Sequence, residues 1–172
     1  PRVMENNRFL NSIENGPKPV IVAMNGNCLG GGMEIAMASH YRIAVKGIQV
    51  GQPEVQVGLI PGAGGTQRLP RLVGLPDALQ MIGTGQAISS EEGMEKGCID
   101  EVVGPEALME KALEVAQRFI SGELNHRDRM TRLRKDRLPN SFMKKMIISY
   151  AKEEAAKKGK GYIAPFKAIE AM

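Results

Sequence analysis

Residues 18–24, with the sequence KPVIVAM, contain six consecutive residues without a charged or hydrogen-bonding side chain. An apolar run rich in valine and isoleucine is typical of a strand that is buried on both faces of a parallel sheet. Three further runs, at Tyr41–Val45, 48–50 and 99–103, also predict strands. Segments with helical patterns separate these runs, and this alternation predicts an α/β fold.

Apolar residues recur at helical spacing between and after the predicted strands. The most regular helix is predicted at 105–120, which begins with proline and ends before Gly122. Its apolar side is expected to comprise Leu108, Ala112, Leu113, Val115, Ala116 and Phe119. The other predicted helices are 2–14, an almost entirely apolar and therefore buried helix at 33–39, and 66–73, 78–82, Ser141–Lys158 and 165–172.

The predicted helix Ser141–Lys158 is amphipathic and is expected to end at Gly159-Lys160-Gly161. The side chains expected to face inward are Phe142, Met146, Ile147 and Tyr150.

The length of 172 residues suits one domain with a core, and 42% of the residues are apolar. With no tryptophan and 4% aromatic residues, that core is expected to consist of aliphatic side chains and methionine. Residues 1–124 carry ten Lys/Arg against fourteen Asp/Glu, whereas residues 125–172 carry thirteen against five. We therefore expect a core region, 1–122, and a basic helical C-terminal region, 123–172.

The basic region has few aromatic residues and no recognised nucleic-acid motif, so a solvated helical face is a better interpretation than nucleic-acid binding. A small ligand with a phosphate group remains an open use for this charge. No apolar run is long enough to span a membrane, and nothing at the first residues resembles a signal peptide. Cys28 and Cys98 lack the spacing of a zinc site and favour a reducing compartment, so no metal is expected.

Two glutamates twenty residues apart have similar surroundings. Glu34 follows three glycines at the start of an apolar helix, and Glu54 follows Gly51-Gln52-Pro53 and precedes another apolar stretch. A lone carboxylate in apolar company is either a hydrogen-bonded cap or a catalytic acid or base, because an unpaired buried charge is costly. Two such acids could hold one water molecule and exchange protons with it.

The glycines at 30–32 allow a ligand to approach the backbone closely, and N–H groups at a helix start stabilise negative charge. The N–H groups at this helix start could therefore form an oxyanion hole, although a tight strand-to-helix turn explains the spacing equally well. Residues 61–68, PGAGGTQR, lack the Gly-Lys-Ser/Thr ending of a phosphate loop, and we interpret them as a loop that packs behind a site. His40 has no nucleophile motif near it and is interpreted as structural.

Three segments resemble the crotonase superfamily and, within it, the enoyl-CoA hydratases. They are KPVIVAMNGNCLGGGMEIAMASHYRIA at 18–44, GQPEVQVGLIPGAGGTQRLPRLVG at 51–74 and ALQMIGTGQAISSEEGMEKGCIDEVV at 78–103. The resemblance implies a partial spiral of β-β-α units, a helical C-terminal region and a trimer-like homo-oligomer. It also implies the addition of water to trans-2-enoyl-CoA in fatty-acid β-oxidation, with the coenzyme A thioester as substrate and no further cofactor.

By this resemblance, Gly31 would donate its backbone N–H to the thioester oxygen, and Glu34 and Glu54 would activate the water. The residues implied to contact the substrate are Gly30, Gly31, Pro61 and Gly62. Because both acids are present, the resemblance favours hydration over Δ3,Δ2-enoyl-CoA isomerisation, in which one acid moves a proton. Isomerisation and a non-catalytic assembly role remain alternatives.

His40-Tyr41-Arg42 and the ending YIAPFKAIEA at 162–171 resemble the hydratase part of multifunctional β-oxidation proteins. There a 3-hydroxyacyl-CoA dehydrogenase follows, so a fused or associated dehydrogenase is an alternative partner.

The family carries a further N-terminal portion with a second oxyanion-hole N–H, so these 172 residues are expected to hold one half of a divided site. The expected location is the cytoplasm in a bacterium or archaeon, and the mitochondrion or peroxisome in a eukaryote.

Overall fold

The computed structural model describes residues 2–158 and 163–172, and their alternating elements confirm the predicted α/β fold. The strands are β1 (Ile21–Met24), β2 (Cys28–Leu29), β3 (Tyr41–Val45), β4 (Gln49–Gly51), β5 (Ile88–Ser89) and β6 (Glu101–Val103). The α-helices are α1 (Arg2–Glu14), α2 (Gly31–Ala38), α3 (Gly65–Val73), α4 (Leu75–Thr84), α5 (Ser90–Lys96), α6 (Leu108–Ile120), α7 (Ser141–Lys158) and α8 (Ile163–Ala171). Short 3-10 helices cover Glu54–Val57, Pro105–Ala107, His126–Arg129 and Thr131–Leu133.

Three parallel strands form one sheet, in the order β1-β3-β6. Ile21 of β1 pairs with Tyr41 of β3, and all five residues of β3 are buried in the middle of the sheet. The predicted strand at 18–24 is confirmed but shorter, since it begins at Ile21. Pro19 has no N–H to donate to a neighbouring strand, which limits the pairing at this end.

A second, smaller sheet has the order β2-β4-β5, with β2 and β4 parallel and β4 and β5 antiparallel. The sequence did not predict β2 and β5, because strands of two residues are too short to show an alternating pattern. Leu29 pairs with Gly51, so the chain leaves both parallel strands at the same edge of the sheet. Glu34 and Glu54 follow these two exits, and the second sheet thereby brings the two acidic segments together.

Helix α2 begins at Gly31, two residues before the predicted start. Gly30 precedes it with a φ angle of 55°, a backbone conformation that favours glycine. Five of its eight residues are buried, including Met33 and Glu34. The expectation that the whole helix is buried is wrong at Ile35, which is 45% exposed because it lies on the side of the helix that faces away from the core.

His40 is fully buried and structural, as its sequence context predicted. Its Nδ1 accepts the N–H of Val20 at 3.0 Å, and its Nε2 donates to the carbonyl of Glu14 at 3.1 Å. Burial lowers the pKa of His40, so the neutral ring that these two contacts require is also the favoured form. Cys28 and Cys98 are free thiols.

Helix α6 begins with a 3-10 turn at Pro105–Ala107, and its core side is narrower than the sequence pattern predicted. Leu108, Val115 and Phe119 are buried, but Leu113 is 64% exposed, so the prediction for that residue is wrong. Only one side of α6 faces the sheet, and Leu113 does not lie on the side that carries Leu108, Val115 and Phe119.

Helix α7 has the predicted bounds, but most of the side chains expected to face inward do not. Phe142 is 71% exposed, Met146 is 59% exposed and Tyr150 is 67% exposed, so these predictions are wrong. Ile147 is half-buried and packs against the core, as predicted. The side of α7 that packs against the core carries Ile147, Ile148, Ala151 and Ala155. The predicted break at 159–161 lies outside the described residues.

The arginine-rich segment between α6 and α7 does not form a solvated helical face. Arg129 donates through Nε to the carbonyl of His40 at 2.7 Å and forms an ion pair with Asp100. The backbone N–H of Arg132 donates to Glu14 at 2.8 Å. The interpretation of the basic region as a solvated face is therefore wrong for Arg129 and Arg132, because these two residues bind to the core.

Among residues 2–158 and 163–172, none of the helices has the length and apolarity needed to cross a membrane.

Candidate active site

Glu34 lies in the first turn of α2 and is 4% exposed. Its Oε1 accepts two backbone N–H groups, from Ala63 at 2.7 Å and from Gly65 at 2.8 Å. Ala63 belongs to the glycine-rich loop before α3, and Gly65 is the first residue of that helix. From the sequence we interpret this segment as a loop that packs behind a site. In the structure it contacts Glu34 through these two N–H groups.

Gly65 fits between the carboxylate of Glu34 and its neighbours with no space for a side chain. A Cβ atom at this position would lie 2.8 Å from Oε1 of Gln52, 2.9 Å from Cβ of Pro61 and 3.0 Å from Oε1 of Glu34. Only glycine permits such an approach of the backbone to these groups. The loop sequence is therefore set by the need to bring two N–H groups to one carboxylate oxygen.

Burial raises the pKa of Glu34 above the ordinary value for glutamate. The hydrogen bonds from Gly65 and Ala63 and the positive charge of Arg68 act in the opposite direction. Because desolvation exceeds these contributions, the carboxyl holds its proton more tightly than a free side chain does. A carboxyl with a raised pKa is suited to exchanging protons near neutral pH.

Glu54 begins the 3-10 helix Glu54–Val57 and is half-buried. Its Oε1 lies 3.3 Å from the position that a Cβ would take at Gly30, and its Oε2 is buried with no hydrogen-bond partner in the part of the chain that the structure describes. Burial raises the pKa of Glu54, and the charge of Glu34 raises it further. The charge of Glu34 therefore reaches Glu54, and among the described residues Glu54 has an oxygen with unused hydrogen-bonding capacity.

The backbone of Gly30 is fully engaged, whereas that of Gly31 faces open space. The N–H of Gly30 donates to the carbonyl of Gly51 at 2.9 Å, and its carbonyl accepts the N–H of Glu34 at 2.9 Å. Gly31 is exposed, and a Cβ at this position would have no atom within 4 Å. As the first residue of α2, Gly31 has an N–H without a partner inside the helix. It is thus available to bind a negatively charged oxygen.

Pro61 and Gly62, the other residues predicted to contact the substrate, lie in the loop that holds Glu34. Pro61 is buried against Gly65. The carbonyl of Gly62 accepts a hydrogen bond from Nδ2 of Asn7 in α1 at 3.3 Å. Their contact with a substrate remains a prediction, as do the catalytic roles of Gly31, Glu34 and Glu54.

Gln52 is a site residue that the sequence reasoning did not single out. It is fully buried, its Nε2 donates to the carbonyl of Gly30 at 3.3 Å, and its Oε1 has no hydrogen-bond partner among the described residues. It thus bonds to the turn before α2 and packs against Gly65 at the start of α3. Gln52 lies two residues before Glu54 in the sequence. Because most glutamines are exposed, the residue type alone does not indicate that this one is buried.

Arg68 and Glu14 were also missed. Arg68 is 3% exposed and Glu14 is 1% exposed, and they form an ion pair of 2.9 Å between α3 and α1. Partners that are 54 residues apart show no pattern in the sequence. The only available signal was a charged residue on the otherwise apolar side of α3, which has Leu69, Leu72 and Val73 as buried neighbours.

The arrangement unites the parts needed to move water across a bond next to a carbonyl group. It contains two acids with raised pKa values, an exposed N–H at a helix start, and a buried carboxylate oxygen that has no donor among the described residues. The described residues contain no cluster of side chains that could hold a metal ion. An apolar cavity of about 850 Å³ begins at Val55 and Gln56, directly after Glu54, and extends between α4, α7 and α8.

Comparison with known proteins places this geometry in a family. Over 171 residues the chain is 39% identical to the "Fatty acid oxidation complex subunit alpha" of Pseudomonas putida (strain GB-1) and 40% identical to the subunit of the same name in Pseudomonas syringae pv. tomato. Each match covers 98% of this chain and 24% of the relative. The chain therefore spans about a quarter of the length of these curated relatives.

A solved structure gives the same assignment. The enoyl-CoA hydratase from Bacillus anthracis superimposes on 99% of this chain with a TM-score of 0.67 and 33% sequence identity, and the match covers 60% of that chain. The pattern of the enoyl-CoA hydratase/isomerase family matches residues 4–160. The resemblance drawn from the three sequence segments is confirmed, and the chain belongs to the enoyl-CoA hydratase/isomerase family.

Proposed function

We propose that this protein adds water to trans-2-enoyl-CoA and forms 3-hydroxyacyl-CoA in fatty-acid β-oxidation. The observation that carries the proposal is the pairing of Glu34 and Glu54, whose pKa values are both raised by burial, with the charge of Glu34 raising the pKa of Glu54 further. Hydration needs a base for one proton of water and an acid for the carbon next to the carbonyl. Two carboxyl groups with raised pKa values can supply both.

The proposed step uses the backbone of α2 as well as the two acids. The N–H of Gly31 would bind the thioester oxygen, which gains negative charge when hydroxide adds to the β-carbon. One carboxylate would take a proton from the water, and the other carboxyl would give a proton to the α-carbon. The Oε2 of Glu54, which has no hydrogen-bond partner within residues 2–158 and 163–172, is suited to hold the water before it reacts.

The apolar surroundings of the site support a substrate with an acyl chain. Leu29, Ile35, Val57 and Leu59 lie within a few positions of the site residues and are 38%, 45%, 74% and 61% exposed. The cavity that begins at Val55 is also lined mainly by apolar side chains. Exposed apolar side chains beside a cavity suit contact with an acyl chain.

We further propose that the coenzyme A thioester is the substrate and that the reaction uses no other cofactor. The names of the curated relatives support a setting in a fatty acid oxidation complex. A homo-oligomer, or an assembly with a 3-hydroxyacyl-CoA dehydrogenase, is the proposed partner arrangement. The proposed location is the cytoplasm of a bacterium, because the relatives that the chain matches are bacterial.

Replacement of either acid by its isosteric amide tests the proposal. Glu34→Gln and Glu54→Gln should each lower the turnover of crotonyl-CoA hydration by about 10²- to 10⁴-fold, the usual contribution of a positioned acid or base. The assay follows the enoyl thioester absorbance, in the longest form of the protein that carries this sequence. Glu95→Gln is the matched control, because Glu95 is exposed on α5. Turnover near the wild-type value in either site variant would contradict the proposal.

Isomerisation of a Δ3-enoyl-CoA is the second candidate, since the matching family includes isomerases. An isomerase moves a proton with one acid and adds no water. Product analysis in water labelled with heavy oxygen separates the two reactions, because only hydration places the label in the product. An unlabelled trans-2-enoyl product would favour isomerisation. A chain that assembles in light scattering but does not bind crotonyl-CoA would favour a non-catalytic role.

A further inference from the structure

Arg68 connects the proposed site to helix α1 through a buried guanidinium group. Nη1 donates to the carbonyl of Ala63 at 3.2 Å, and Nε and Nη2 donate to Oε2 of Glu14 at 3.2 Å and 2.9 Å. Nη2 also donates to Oδ1 of Asn11 at 2.8 Å. The planar fork of arginine can contact all three partners at once, which a single ammonium group cannot do.

Ala63 is held from both sides. Its N–H donates to Oε1 of Glu34 at 2.7 Å, and its carbonyl accepts from Arg68. The position of this residue therefore depends on the cation as well as on the carboxylate. Because Gly65 donates to the same oxygen of Glu34, the loop from 61 to 65 sets the orientation of that carboxyl group.

Glu14 fixes Arg68 in turn. Its Oε2 takes the two bonds from the guanidinium, and its Oε1 accepts the backbone N–H of Arg132 at 2.8 Å. Both members of the pair are almost fully buried. A buried pair of this kind contributes little to stability in comparison with apolar side chains, and such pairs are often retained because they fix one geometry.

We propose that Arg68 is a positioning residue for the reaction of Glu34, and that Glu14 holds Arg68 in place for this purpose. Arg68 sets the loop geometry in which Ala63 and Gly65 bind the carboxyl group of Glu34. Its charge also favours the ionised form of that group. The positioning of Glu34 by Arg68 is argued from the hydrogen bonds given above. Only the expected effect on turnover rests on the proposed function.

Several charged or titratable groups face Glu34 from the elements around α2. Arg68 faces it from α3, and Glu54 from the 3-10 helix at 54–57. Glu14 of α1 and Arg132 of the basic segment stand behind Arg68. Three further titratable or charged side chains lie next to α2. Cys28 lies beside Gly32, and His40 and Arg42 lie at the C-terminal end of the helix. Among these groups, Arg68 is the cation whose charge lowers the pKa of Glu34.

Carboxyl carbon NMR of the purified protein, with labelled glutamate, measures the geometry and the charge without an activity assay. Glu34→Gln identifies the resonance of Glu34. The main variant is the double replacement Arg68→Met with Glu14→Gln, which leaves no unpaired buried charge and therefore retains the fold better than Arg68→Met alone. We expect the pKa of Glu34 to rise in it and the amide protons of Ala63 and Gly65 to exchange about tenfold faster.

Two further variants separate charge from contact. Glu14→Gln alone leaves the charge of Arg68 without its neutralising partner, so the pKa of Glu34 should fall, opposite to the double variant. Arg68→Lys keeps the charge but loses the fork, so amide exchange should increase while the pKa changes little. Arg71→Met is the matched control, because Arg71 lies on the same helix and donates to Gln67 rather than to the loop. Unchanged pKa and exchange in the double variant would overturn the proposal.

Turnover links the inference to the proposed reaction. In the double variant kcat for crotonyl-CoA hydration should fall by about 10²-fold with little change in KM, because small displacements of a reacting group have effects of this size. The expected NMR changes in a protein that has no hydratase activity would support the positioning role and contradict the proposed function. Normal turnover and unchanged NMR data in the double variant would contradict the positioning role alone.

Discussion

Glu34 illustrates, at the level of one residue, how a functional group can oppose stability. Its carboxyl group is buried at 4% exposure, and desolvation raises its pKa despite two backbone hydrogen bonds. A folded-state pKa above the unfolded value means that the folded protein binds the proton more tightly. The contribution of Glu34 to the free energy of unfolding therefore falls as the pH rises above the unfolded pKa of glutamate, about 4.3.

This sign leads to a prediction for Glu34→Gln. The variant cannot ionise at this position, so its stability relative to the wild type should improve as the pH rises from 4 to 7. Urea unfolding at the two pH values measures the difference. Glu91→Gln is the control with the opposite sign, because hydrogen bonds from its own backbone N–H and from Ser90 lower the pKa of Glu91. A relative stability of Glu34→Gln that stays constant or falls between pH 4 and 7 would contradict the account of its burial.

At the level of elements, α7 shows which side of a helix contributes to packing. Phe142 and Met146 are exposed, whereas Ile147 packs against the core formed with α4 and α8. Phe142→Gln and Met146→Gln should each change the free energy of unfolding by at most about 0.5 kcal/mol, as surface substitutions usually do. Ile147→Ala should lower it by about 1–3 kcal/mol, because it removes partly buried apolar contacts.

Chemical denaturation of the three α7 variants measures these changes. A loss of stability in Phe142→Gln or Met146→Gln as large as that in Ile147→Ala would show that the outer face of α7 is covered in solution.

Elements were predictable where a pattern repeats over many residues. The helices α1, α6 and α7 and the strand β3 were predicted with nearly their observed bounds, because each has a long or strongly apolar pattern. The orientation of α7 was not predictable. Apolar residues occur around much of this helix, and its partners, α4 and α8, decide which side is buried. The two-residue strands β2 and β5 were missed because pairing rather than sequence defines them.

At the scale of the whole molecule, Asp100 connects the sheet to the C-terminal region. Its carboxylate forms an ion pair with Arg42 of β3 at 2.8 Å and another with Arg129 of the basic segment. Arg42 is 2% exposed. Asp100→Asn would leave this buried cation without a counter-charge, and we expect a loss of about 3–5 kcal/mol in the free energy of unfolding.

Asp136→Asn is the matched control for this prediction. Asp136 pairs with Arg134 on the exposed surface, at 2.7 Å, and an exposed pair is worth about 1 kcal/mol or less. Thermal or chemical unfolding of both variants tests the comparison. Equal losses of stability in the two variants would contradict the view that Asp100 joins the two regions.

The sequence predicted those residues of the candidate site that differ clearly from their sequence neighbours. Glu34, Glu54 and Gly31 stood out as acids and glycines among apolar residues, and the structure brings their segments to one edge of the second sheet. Gln52, Ala63 and Arg68 could not be found in this way. Ala63 contributes only its backbone, Gln52 has no distinctive context, and the partner of Arg68 lies 54 residues away in the sequence.

The central claim is that Glu34 and Glu54 act as one unit on one water molecule. The most direct measurement is the crotonyl-CoA hydration rate of Glu34→Gln, Glu54→Gln and the double variant, compared with the wild type. If the acids share a water molecule, the double variant should be no slower than the slower single variant, because either replacement already disables the unit. Losses that multiply in the double variant, or a single variant with wild-type turnover, would contradict the claim.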